Sequence, residues 1–432
     1  MVSYLAFDHM KELLYKIKSK LKKGDNKDLA INTIALTILN FFNFVLPLFT
    51  IPVLLNNLGA AAYGIVNIYI SLYAIFQKVV DYGFNFVGTR KLTLAESTQK
   101  KNVIFSEILS CKLINALAVI LITALYFTIS GTDNSAVALI ISSELLGTAL
   151  SMYWLFQGLK KMQVITWITS VTKIVYSILI ILLIKDADDI LLYAILYSLI
   201  SIAIGISGVF IALSKKYNLK FVKISVAGVV DSYKEGWHMF VASLCGGLTT
   251  NLSTVVLGAL KGEVAVAYFS AGYKIVQALS LVFSAITQAL YPYSCSKFNE
   301  SFKKGKQFVY RVMKPVLLMI GASCVLLSFL SPFIFRWIYD SIYWPYYPVV
   351  IVGSIWLFFS FYNNFLGIQI LVAGGYSDKY RRLFTVATVL TIACYYLLIP
   401  FMDLYGSIVA LLIGETILTF MLNIKIRKIS RI

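Results

Sequence analysis

The stretch that decides the fold is Tyr63 to Arg90, YGIVNIYISLYAIFQKVVDYGFNFVGTR. It is long and apolar enough to cross a bilayer, yet Lys78 and Asp81 lie inside the hydrophobic run. A Lys or Asp at mid-membrane costs roughly 2.5–3.5 kcal/mol on insertion scales, so such residues face a protein interior or a wet cavity. The spacing agrees. Asn67, Ser71, Ala74, Lys78, Asp81, Asn85 and Gly88 recur at alternating steps of three and four, which draws one polar stripe along a helix. Ile68, Ile70, Leu72, Ile75, Phe76 and Val79 cover the other faces and can meet lipid. The stretch reads as a spanning helix with one wet side.

The rest of the chain is built to the same standard. It has 432 residues, 59% of them hydrophobic, with a mean hydropathy of +0.81. Soluble domains are about 45–50% apolar. The expected class is therefore an all-α polytopic membrane protein. Twelve apolar runs approach the length of about 20 residues that a bilayer needs. Their approximate bounds are 30–55, 61–88, 103–128, 135–157, 162–184, 190–213, 236–259, 264–293, 312–335, 347–373, 383–400 and 404–424. Before them, residues 1–29 put Met10, Leu13, Leu14, Ile17 and Leu21 on one helical face and lysines on the other. That pattern fits a basic amphipathic helix on an anionic leaflet. The aromatic stretch RWIYDSIYWPYYP between the ninth and tenth runs resembles an interfacial belt.

A net charge of +18 suggests nucleic acid until the charges are placed. Segments on the N-terminal side of the membrane hold 31 of the 38 Lys and Arg. The opposite side holds only Lys185, Lys261 and Arg336, and leans acidic with Asp133, Asp186, Asp188, Asp189, Glu263, Asp340 and Asp403. By the positive-inside rule both termini are cytoplasmic, and the charge is a topology signal with no nucleic-acid partner implied. Every outer loop is short, so the work is expected inside the membrane. Five cysteines in apolar runs match neither a disulfide framework nor a zinc spacing, and two histidines are too few for a His-based metal site. An acyltransferase or polymerase would need a nucleophile–base pair or a metal set. No enzyme and no cofactor are expected.

The longest inner connection separates six runs from six. The expected organisation is a basic segment (1–29), an N-lobe (30–213), a cytoplasmic linker (214–235), a C-lobe (236–424) and a basic tail (425–432). Both halves open with a long helix, a tight Gly-containing turn and a helix led by Tyr63 or Tyr268, which suggests a parallel repeat with a site between the halves. Span 8 carries its own stripe, Ser270, Lys274, Gln277, Ser284 and Gln288. Small polar residues on spans 1 and 7 either line the same cavity or join helices. The candidate substrate contacts are Lys78, Asp81, Asn85, Arg90, Lys274 and Gln277, with Asp81 neutralising Lys78 between cycles. Glu144 and Lys173 lie at similar depth in adjacent spans and are expected to pair. Glu107 and Lys112 are expected to snorkel to the inner surface. Glu415 is placed to pair with Lys274, line the cavity or carry a coupling proton. His238 sits at the inner mouth of span 7.

Four stretches in order resemble the polysaccharide-transport family, the Wzx-type flippases of O-antigen and capsule repeat units. DYGFNFVGTRKLTLAES is similar to that family's Asp-aromatic-Gly-Phe segment ending in an Arg. FSAGYKIVQALSLVFSAITQALYP resembles its eighth span, although Tyr273 stands where an acidic residue is common. FYNNFLGIQILVAGGYSDKY is similar to its tenth span, and YGSIVALLIGETILTF to its last, with Glu415 at a position often acidic. The resemblance covers the chain from about Asn32. It implies two six-helix lobes in a V, like the multidrug and toxin extrusion (MATE) transporters. It also implies undecaprenyl-pyrophosphate-linked oligosaccharide as cargo, flipped to the outer leaflet of a bacterial cytoplasmic membrane by alternating access. Coupling to H+ or Na+, and a polysaccharide polymerase and chain-length regulator as partners beside membrane lipid, would follow. The alternative is a MATE-like, cation-coupled small-molecule antiporter; buried lysines disfavour cationic cargo.

Overall fold

A computed structural model describes residues 24–132 and 134–429. Most of the expected basic helix at 1–29, Asp133 and the end of the basic tail lie outside the described residues. The first element is a helix from Gly24 to Asp81, bent at Gly59, where φ is 75°. That left-handed φ favours glycine, which has no Cβ to clash. The bend divides the helix into span 1 and span 2. Span 2 breaks again at Tyr82 and Gly83, both at positive φ, and resumes as Phe84–Thr93.

Span 3 is Thr98–Ser130. Span 4 is built of three pieces, Ser135–Ser142, Glu144–Leu150 and Tyr153–Gly158. Its first break has a local cause. The Ser142 and Ser143 hydroxyls donate to the carbonyls of Leu139 and Ile140, and such back-bonding bends helices. Spans 5 and 6 are Met162–Leu183 and Ile190–Leu213. Span 7 is Val226–Lys261, span 8 Glu263–Glu300 and span 9 Phe302–Ile338. Span 10 joins an α-helix, Pro348–Asn364, to a π-helical stretch, Phe365–Val372. Spans 11 and 12 are Ser377–Met402 and Leu404–Ile429.

Eleven stretches among the described residues are long and apolar enough to cross a membrane. The first of them, Phe49–Thr93, holds the end of span 1 together with span 2. Separating them at Gly59 gives the twelve spans expected. The chain is an integral membrane protein by length and composition. Spans 1–6 pack together, as do spans 7–12, and the lobes meet chiefly where spans 7 and 8 lie on the Gly24–Asp81 helix. The turn between spans 7 and 8 repeats the turn between spans 1 and 2. Gly262 has φ 83° and ψ 175°, and Gly59 has φ 75° and ψ 170°.

The connection between the lobes is held to the N-lobe. The Lys220 amide donates to Asn102 Oδ1 at 3.1 Å and the Val222 amide to Ser106 Oγ at 3.0 Å. Span 7 begins at Val226, earlier than the expected 236.

Candidate functional site

The site is the space between the lobes, and spans 2, 7 and 8 decide its shape. On the side opposite the lysine-rich loops it is closed. Span 2 comes so near span 8 there that a Cβ on Gly64 would sit 1.9 Å from the Glu263 carbonyl oxygen. Half-buried Lys274, on span 8, crosses to span 2. Its Nζ donates to the Tyr63 hydroxyl at 2.9 Å and to Asn67 Oδ1 at 2.5 Å, and lies 5.0 Å from the Tyr63 ring centre. The aromatic stretch between spans 9 and 10 completes the closure. Tyr343 is buried and donates its hydroxyl to the Leu55 carbonyl at 3.4 Å, while Tyr346 stacks on Tyr268 at 4.2 Å. The expected interfacial belt is thus in part a lobe-to-lobe seal.

On the lysine-rich side one flank is clasped. The break at Tyr82–Gly83 lets span 2 meet span 7 backbone to backbone. A Cβ on Gly236 would sit 2.6 Å from the Tyr82 carbonyl oxygen, and one on Gly83 would sit 2.8 Å from that of Gly236. The Tyr82 ring stacks on Phe240 at 4.4 Å. Lys91 pairs with Glu235 at 3.3 Å and donates to Ser232 at 3.1 Å. Among the described residues, the inner half of span 8 makes no such clasp with span 2. Val282 is 44% exposed and Tyr293 64%, and Gln288 is exposed too.

The expected single stripe on span 2 divides among three neighbours. Asn67 faces span 8 through Lys274. Lys78 faces span 7, its Cγ 3.1 Å from where a Cβ on Gly247 would stand. Lys78 is half-buried and makes no hydrogen bond or ion pair among the described residues. Asp81 does not neutralise it. Asp81 Oδ1 lies 3.1 Å from the ammonium of Lys112 on span 3, and Asn85 Oδ1 accepts from the same ammonium at 3.3 Å. The reason is angular. Each helical residue turns about 100°, so three residues leave the two side chains about 60° apart, enough for different neighbours. Gly88 ends the stripe against the Trp154 ring, in the N-lobe core. Arg90 is exposed at the lysine-rich side.

Other expectations need correcting. Lys112 does not snorkel; it is 1% exposed and holds Asp81. Glu144 and Lys173 form no ion pair within 4.0 Å. Both line one cavity of about 270 Å³ in the N-lobe, with Thr50, Tyr176 and Tyr197. Gln77 donates to Glu144 instead. The two residues share this cavity rather than pairing directly. Glu415 does not pair with Lys274. It accepts from the Asn363 amide at 2.6 Å, and Asn363 in turn accepts from Thr419 at 2.7 Å, all within the C-lobe. Gln277 is half-buried on span 8 beside Tyr273. His238 is exposed at the inner mouth of span 7.

Residues 29–298 match the polysaccharide biosynthesis protein family. The chain is 25% identical over 400 residues to the "Putative O-antigen transporter" of Escherichia coli strain K12, covering 92% of this chain and 96% of that protein. It is 26% identical over 262 residues to the protein of the same description in Shigella dysenteriae, covering 60% of this chain and 66% of the relative. Among solved structures, the lipid II flippase MurJ in an inward closed conformation has a TM-score of 0.77 at 17% identity, over 91% of this chain and 87% of that one. An inward-facing MATE family transporter of the MOP superfamily has a TM-score of 0.74 at 12% identity, over 92% and 99%. Those likenesses fix the architecture as two lobes of the MATE kind, and the match to residues 29–298 carries the stronger statement: the chain belongs to the polysaccharide biosynthesis protein family.

Proposed function

We propose that the protein is a flippase that moves undecaprenyl-pyrophosphate-linked oligosaccharide repeat units from the inner to the outer leaflet of a bacterial cytoplasmic membrane. It works by alternating access and breaks no covalent bond. The observation that carries the reading is Lys78. It is a half-buried cation on span 2 that faces span 7 of the other lobe, without a counter-ion among the described residues. The names of its relatives, O-antigen transporters and a lipid II flippase, support the same cargo class.

The chemistry follows from desolvation. A diphosphate crossing a core of about 30 Å without partners would face a prohibitive cost. Lys78 replaces part of its water. A lysine is a compact point charge rather than a bidentate fork, which suits holding without trapping. Lys274 is the next cation along the path. It is engaged by Tyr63 and Asn67 while the outer side is shut. A phosphate that draws its ammonium away would loosen that seal as the cargo arrives. The competing antiporter reading requires a cationic cargo beside an unneutralised lysine, which Coulomb repulsion disfavours.

A coupling proton fits Glu144 better than His238. Glu144 is buried and lines a cavity within the N-lobe, whereas His238 is exposed. Sodium is a poor occupant of a cavity that also holds Lys173.

The test uses Lys78→Ala, Lys78→Gln and Lys78→Arg in the native host. The expected result is loss of surface glycan for Ala and Gln at normal protein level, with Arg better tolerated. Normal glycan in the Ala variant would remove Lys78 from the cargo path.

A further inference from the structure

Span 9 differs from the other spans in what surrounds it. It packs chiefly on spans 8 and 10, and its apolar window has the smallest buried share of the candidate spans among the described residues. One of its faces is therefore free to meet lipid. Leu318, Val325, Phe329 and Trp337 mark that face, at 77%, 71%, 69% and 91% exposure. The spacing of seven and four residues keeps Leu318, Val325 and Phe329 within about 40° of one another on one stripe, and Trp337 lies beyond them at the end of the helix.

Followed toward the lysine-rich side, the same stripe changes character at Lys314. Lys303, Gln307, Tyr310 and Lys314 continue it at steps of four, three and four. With Lys306 and Arg311 they line an open recess of about 730 Å³. Eleven residues of helix span about 16 Å, so the basic section runs from the hydrocarbon edge well into the headgroup layer.

Among the described residues the recess carries no carboxylate. Glu300, the acidic residue at this end of the helix, accepts from Lys297 at 2.5 Å and from Lys304 at 3.3 Å, neither of which lines the recess. Arg427, at the end of span 12, lies within electrostatic reach of the Tyr310 hydroxyl and adds a further cation. The donors are also varied: ammonium, a guanidinium fork, a phenol and a primary amide. That set suits a phosphodiester with unesterified oxygens.

We propose that this face of span 9 is a binding site for an acidic phospholipid of the leaflet on the lysine-rich side. Its phosphate sits among Tyr310, Arg311 and Lys314, and its acyl chains lie along Leu318 and Val325. The continuity of the two sections selects the occupant. A soluble anion would use the basic section and ignore the apolar one. A neutral phospholipid would use the apolar section and leave the charges of Lys303, Arg311 and Lys314 unmatched. Only a lipid with net negative charge satisfies both.

The site is tested on the full-length protein by native mass spectrometry during titration with phosphatidylglycerol or phosphatidylcholine. The native chain is expected to retain phosphatidylglycerol about tenfold better, with the preference shrinking as salt is raised. The variant Lys303→Gln/Arg311→Gln/Lys314→Gln removes exposed side chains, so its fold is expected to stand, checked by its melting temperature. Its preference should drop to about twofold or less. The variant Lys303→Arg/Lys314→Arg should keep the native preference. An undiminished preference in the Gln variant overturns the proposal. So does equal loss of both lipids, or a Gln variant that keeps phosphatidylglycerol but loses diphosphate-linked lipid, which would give the face to the cargo.

Discussion

Lys112 and Lys78 are both lysines inside the membrane, and their partners separate their roles. Lys112 is enclosed and faces Asp81 at 3.1 Å. Removing one member of a buried pair leaves the other charge uncompensated, at about 3–5 kcal/mol. Lys112→Ala should therefore lower protein level and melting temperature together, whereas Lys78→Ala should lower neither. Equal losses in the two variants would refute the division. Gln369 offers a second test. Its amide donates to the Thr287 carbonyl at 2.8 Å and its oxygen accepts from Ser294 at 2.8 Å, tying span 10 to span 8. Gln369→Leu orphans both groups and should destabilise by about 1–3 kcal/mol, read as an earlier thermal transition. Little of this was legible in the sequence. The charges were visible inside apolar runs, but Lys112 is thirty-one positions from Asp81, and nothing along the chain records which helices become neighbours.

Among the helices, legibility was better where a break has a local cause. Glycine marks the turns at Gly59 and Gly262, and the Tyr82–Gly83 break sits in the quoted opening stretch. The pieces of span 4 were hidden because Ser142, Ser143 and Glu144 form a polar interruption too short to divide an apolar run, and serine back-bonding to the helix is not recorded in hydropathy. The glycines also set how closely elements approach, and this can be tested. Gly64 leaves room for the Glu263 carbonyl at the outer seal. Gly64→Val should force spans 2 and 8 apart and leave Lys274 without its partners. Cysteine placed at Asn67 should then label faster with a membrane-impermeant thiol reagent in the Gly64→Val background than in its absence. An unchanged labelling rate would mean that the seal does not depend on that contact.

At the scale of the whole molecule, the twelve spans and the paired lobes were legible because hydropathy and charge placement act over the full chain and average out local ambiguity. The shape of the opening was not, since it depends on contacts between lobes. Orientation remains a prediction with a direct check. A reporter fused after Asp188 should show an external location and one in the Lys297–Arg311 connection a cytoplasmic location, because positive loops are retained inside. The reverse pattern would invert the proposed direction of transport. That Lys78 has no counter-ion among the described residues has a further, electrical consequence. The lysine is fixed to span 2 and stays behind when the cargo leaves, so no protein cation accompanies the diphosphate outward. Each negative charge exported across an inside-negative membrane then gains about 2.3 kcal/mol per 100 mV. Transport should generate current and slow when the voltage is collapsed at constant pH. Equal rates in polarised and depolarised vesicles would mean that a small cation travels with the cargo.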